Sequence, residues 1–89
     1  MILSVKTSKP ISPFLQALGR EIAAARNLGR WSQEELAKKA GMNRAHLSEA
    51  ERGLANLCVE TLRYLCIALD VNLADLIQRA LDNSQSGLG

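Results

Sequence analysis

Apolar residues recur along this chain at helical intervals. Phe14, Leu15, Leu18, Ile22 and Ala25 fall three or four positions apart, which predicts an amphipathic helix from Pro13 to about Asn27. Ser12-Pro13 supplies its start, with serine as N-cap and proline where a missing N–H is harmless. Gly29 ends it. Ser32 and Glu35 have the spacing of a capping box and open a second helix, with Leu36, Ala37 and Ala40 facing inward and Gly41 as its breaker. Trp31, just before the cap, is expected to pack across the turn as a staple. Asn43 caps a third helix that ends at Arg52-Gly53 and has only Leu47 and Ala50 as apolar anchors. After a loop from Leu54 to Cys58, a fourth helix aligns Leu62, Leu65, Cys66 and Leu69. Asn72 caps a fifth, where Leu73, Leu76, Ile77 and Leu81 can pack and Asp75 favours the first turn. No stretch reads as a strand and none repeats. The expected class is all-α, five helices in a compact bundle. Residues 1–12 read as a flexible arm, 13–82 as the folded domain, and the Ser/Gly-rich 83–89 as a disordered tail.

Composition narrows this reading. The chain has 89 residues, enough for one core and not two. Phe14, Trp31 and Tyr64 are its only aromatics, so the core is built of Leu, Ile and Ala, which suits helices better than a sheet. The net charge is only +2, but it is divided unevenly. Residues 1–52 hold nine basic against five acidic side chains, and the remainder two against four. A positive half and a negative half fit a protein with one face for a polyanion; chance scatter fits as well.

Other classes fare worse. Cys58 and Cys66 form no CxxC pair and His46 is the single histidine, so a structural zinc site lacks ligands. Both thiols sit among apolar residues and are expected to be buried and free. Ile2 to Val5 is too short for a signal peptide. No apolar run approaches the ~20 residues of a membrane span, and the chain is expected to be cytoplasmic. No glycine loop for phosphate and no arranged triad appear, so neither catalytic residues nor cofactor are expected.

The third helix is the unusual element. Its apolar side is minimal, while Arg44, Ala45, His46, Ser48 and Glu49 crowd its other sides near the N-terminus, the end with free N–H groups and partial positive charge. Arg can chelate the guanine edge, Ser and His can hydrogen-bond, and Glu can accept from cytosine N4. A helix also fits the DNA major groove. Polar helical faces are more often simply solvated, and the residues alone leave the choice open.

The ordered set "LGREIAAARNLG", "SQEELAKKAG", "MNRAHLSEAERG" and "ETLRYLCIALDVNLADLI" resembles the phage-repressor and Cro-like helix-turn-helix family, also called the XRE family. The resemblance runs from Leu18 to Ile77, about two-thirds of the chain. It implies a lambda-repressor-like bundle whose helices two and three are the helix-turn-helix, the third entering the major groove and the second lying across the backbone. It also implies base contacts from Arg44, Ala45, His46, Ser48 and Glu49, and backbone contacts from Ser32, Gln33, Asn43, Arg52 and Asn56. Gln33 matches a glutamine that also steadies base-reading side chains. Arg26 and Glu51 match a structural ion pair joining helix one to the end of helix three. The sequence departs from the family at Leu57, often proline, and at Cys58, often a capping serine. Leu54 and Ala55 replace residues that are often basic, which implies a shallower salt dependence than for a strongly basic repressor.

The function this implies is sequence-specific binding of double-stranded DNA by a homodimer on an inverted repeat, since one recognition helix covers few base pairs. A controller of the restriction-modification kind or a small phage or plasmid repressor fits best. The alternative is an interaction module or antitoxin component with the same fold and a protein partner. Leu73, Ile77, Ala80 and Leu81 of helix five are candidates for the dimer surface; otherwise they close the monomer core.

Overall fold

The computed structural model describes residues 12–86, which form five helices and no strand: α1 (Pro13–Leu28), α2 (Gln33–Ala40), α3 (Arg44–Glu51), α4 (Val59–Leu69) and α5 (Leu73–Ser86). The expected arm, but for Ser12, lies outside the described residues. The expected tail begins too early. α5 continues through Ser86, because Asn83 and Arg79 both donate to Glu21 of α1, at 2.8 and 3.0 Å. Those bonds hold the last turns against α1 despite their weak helix propensity.

Local chemistry sets the helix starts. Ser12 Oγ accepts from Leu15 N at 3.1 Å, with Pro13 at the first helical position. Ser32 and Glu35 complete the capping box in both directions. Asn43 and Asn72 accept from the amides of His46 and Asp75 at 2.7 and 3.0 Å. α4 is the exception. Cys58 makes no side-chain bond to a free amide of that helix, and its sulfur instead pairs with Thr61 Oγ1 at 3.1 Å. Cys58 is therefore exposed rather than buried, whereas Cys66 lies in the core.

The helix ends hold one surprise. Gly29 caps α1 in right-handed conformation, and the left-handed residue is the next one, Arg30, at φ 63°. Trp31 is half-buried against the core, and Lys39 Nζ lies 4.9 Å from its ring centroid.

The five largest fully buried side chains are Ile22, Leu36, Leu47, Leu65 and Leu76, one from each helix. They meet at a common centre with alanines from α1, α2, α4 and α5 around them. α1 packs chiefly on α5 and on α3, and α2 on α4 and α3. The crossing of α1 and α3 depends on Gly19, whose added Cβ would collide with the carbonyl oxygens of Ala50 and Glu51. α3 is thus clamped by its C-terminal end, which leaves its N-terminal end at the surface.

Ala80 is fully buried, and Leu73 and Ile77 pack against the core, leaving Leu81 as the exposed member of the four. The larger exposed apolar groups are Leu28 at the end of α1, Leu54 in the loop after α3, and Val59, Tyr64 and Ile67 on α4. Among the described residues no helix is long and apolar enough to cross a membrane.

Candidate nucleic-acid interface

α2 and α3 are joined by Gly41, Met42 and Asn43. Gly41 takes φ 75°, a left-handed conformation that side-chain-bearing residues adopt only at a cost. The Gly41 and Met42 amides donate to Lys38 and Ala37 carbonyls. This closes α2 within one turn and sends the chain directly into α3.

α3 buries Leu47 completely and Ala50 nearly so. Around those anchors Arg44, Ala45 and Glu49 are exposed, and His46 and Ser48 are half-buried. The His46 ring and the Glu49 carboxylate approach to 4.0 Å. No acidic residue occupies the first turn of α3, so its positive end is uncompensated by its own side chains. Of the residues expected to face phosphates, Ser32, Asn43, Arg52 and Asn56 are exposed and Gln33 is half-buried. Ser32 and Asn43 each use a side-chain oxygen in capping, and Arg52 Nε reaches back to Ser48 O at 3.4 Å.

Behind this surface lies a hydrogen-bonded chain. Arg26 Nε and Nη2 donate to Glu51 Oε2 and Oε1 at 2.6 and 3.0 Å, and Arg26 Nη1 donates to Trp31 O at 2.8 Å. The hydrogen bond to Glu51 raises the Arg26 pKa; burial opposes this and the Glu51 charge adds to it. Glu51 Oε1 also accepts from Gln33 Nε2 at 2.9 Å, and Gln33 Oε1 accepts from Arg44 Nη1 at 3.4 Å. The structure therefore brings Arg26, Glu51, Gln33 and Arg44 together. It keeps Asn56 apart from them, beyond the end of α3.

Sequence reasoning missed two of these links. The Gln33–Glu51 bond spans eighteen positions and the Glu21–Arg79 contact fifty-eight, and neither has a local spacing to betray it.

Among the described residues no cluster of His, Cys, Asp and Glu has the makings of a metal site. The exposed Cys58 thiol is lowered by its bond to the Thr61 hydroxyl, and burial raises Cys66.

Known proteins are similar to this chain in sequence and fold. A helix-turn-helix family model matches residues 22–76. The control protein C.SmaI of Serratia marcescens is 32% identical over 71 residues, which are 79% of this chain and 84% of that protein. The clp gene regulator ClgR from Corynebacterium glutamicum superposes with a TM-score of 0.81 at 28% identity, covering 89% of this chain and 84% of that one. The restriction-modification controller protein C.AhdI from Aeromonas hydrophila gives a TM-score of 0.68 at 31% identity, covering 70% and 94%.

Proposed function

Because the chain belongs to the XRE-type helix-turn-helix family of DNA-binding transcription regulators, we propose that it binds a specific inverted repeat as a homodimer and does no catalysis. In this reading α3 enters the major groove by its N-terminal end. Arg44, Ala45, His46, Ser48 and Glu49 meet base edges, with Arg44 on a guanine and Ala45 offering a methyl contact. Ser32, Gln33, Asn43, Arg52 and Asn56 fix the register on the phosphates. The observation that carries the reading is the placement of α3. It is anchored by two apolar side chains at its inner side and exposes Arg44, Ala45 and Glu49.

The homodimer follows from arithmetic of recognition. One helix reads only a few base pairs, so useful specificity takes two half-sites roughly 34 Å apart. Val59, Tyr64 and Ile67 on α4, with Leu81 on α5, are the exposed apolar groups we assign to that contact. Similarity to a restriction-modification controller supports a role as a compact controller acting on its target in the cytoplasm. Selection of binding sites from random duplexes by the purified chain tests the reading. An inverted repeat is the expected product. No enriched sequence, with salt-insensitive binding to a protein partner instead, would favour an adaptor or antitoxin component.

A further inference from the structure

Glu51 is more than half of an ion pair. Its carboxylate is almost fully buried, with 6% of the side chain exposed. Arg26 engages both oxygens, and Arg26 is itself tied to the Trp31 carbonyl. A carboxylate held through both oxygens by charge-assisted bonds, to a guanidinium that is itself tied down, is a fixed object in the fold. The group it holds in turn is the Gln33 amide.

An amide has a donor end and an acceptor end, and its neighbours decide which way it faces. Here Gln33 stands between a carboxylate and a guanidinium. With Nε2 toward Glu51 and Oε1 toward Arg44, both ends are attractive. Turned over, the carbonyl oxygen would face a carboxylate and the NH2 group a guanidinium, and both ends would repel. The four groups therefore alternate in sense from Arg26 to Arg44, and each polarises the next in the same direction. Arg44 itself is exposed and has little else on the protein to restrain its long side chain.

We infer that Glu51 is a positioning residue for DNA reading. By fixing the direction of the Gln33 amide, it presets the Arg44 guanidinium before DNA arrives, so the Arg26–Glu51 pair serves selectivity as well as stability. This inference rests on the assignment of Arg44 to a base edge.

The test uses the full chain and the duplex it selects from a random pool, with all single-base variants of that duplex. Arg44→Ala identifies the position Arg44 reads, as the one where preference is lost. Gln33→Met leaves the ion pair intact, and Glu51→Gln removes the negative charge that fixes the donor end of the Gln33 amide. Each is expected to reduce preference at that position by about threefold or more, with smaller changes at the other positions. The double variant is expected to be no less selective than Gln33→Met alone, because both act through one amide. Thermal unfolding is read alongside, since Glu51→Gln lowers stability and Gln33→Met should barely do so. If Glu51→Gln does not fold, Glu51→Asp withdraws the oxygen while keeping the charge.

If Arg44→Ala erases a preference that both other variants keep, the inference is overturned and Arg44 remains a reader. Additive losses spread evenly over all positions overturn it too. If Arg44→Ala leaves every preference intact, the base-edge assignment fails and the inference with it.

Discussion

Arg26 and Glu51, twenty-five positions apart, meet through two hydrogen bonds of 2.6 and 3.0 Å. They join the last turns of α1 to the last residue of α3. Both are largely buried, at 14% and 6% side-chain exposure. Removing either partner leaves the other charge with little water to solvate it. Arg26→Ala and Glu51→Ala are each expected to lower stability by about 3–5 kcal/mol, as read from urea denaturation. The double variant should cost less than the two single changes added together.

Gly19→Ala tests the crossing on which α3 rests. The new methyl meets backbone carbonyl oxygens of Ala50 and Glu51 rather than a flexible side chain. The helices must therefore separate. A loss of about 1–3 kcal/mol or more is expected in the same denaturation measurement, although alanine is the better helix former.

The capping box of α2 carries a pH signature. The Ser32 amide bonds the Glu35 carboxylate, and with the Ser32 hydroxyl it holds that carboxyl below the usual Glu range. A folded-state value below the unfolded one means that the contribution is present above the unfolded value. It is lost as pH falls through the folded value. An NMR titration should place the Glu35 midpoint below an ordinary glutamate. Glu35→Gln should make the acid-side fall of stability shallower.

These features differ in how far the sequence reveals them. Each cap was legible because serine or asparagine followed by an apolar run is a local signal, and Ser12, Ser32, Asn43 and Asn72 all act on an amide three residues on. Arg26 with Glu51 was legible only through the family resemblance. Gln33 with Glu51 was not legible, since a glutamine on the first turn of a helix carries no mark of a partner eighteen residues away. Ala80 and Leu81 are neighbours with opposite fates, one buried and one exposed. Periodicity gives the face of a helix but not which element covers it. Asn83 to Ser86 looked like tail by composition and became helix through bonds to Glu21.

The exposed apolar groups of α4 give the dimer its test. Ile67→Glu places a charge where 61% of an isoleucine faces solvent, so it should leave the isolated fold intact. Sedimentation is expected to show a dimer for the native chain and a monomer for the variant. The variant should also lose most of its affinity for the full inverted repeat.

The central claim is that the amino end of α3 reads base edges from the major groove. Methylation interference on the selected duplex tests it most directly, because 7-methylguanine blocks the major-groove edge and 3-methyladenine the minor-groove edge. The expected result is loss of binding when one particular guanine in each half-site carries the N7 methyl group, and indifference to adenine N3 methylation there. Binding that tolerates every N7 methyl group, or that is blocked only from the minor groove, would contradict the claim.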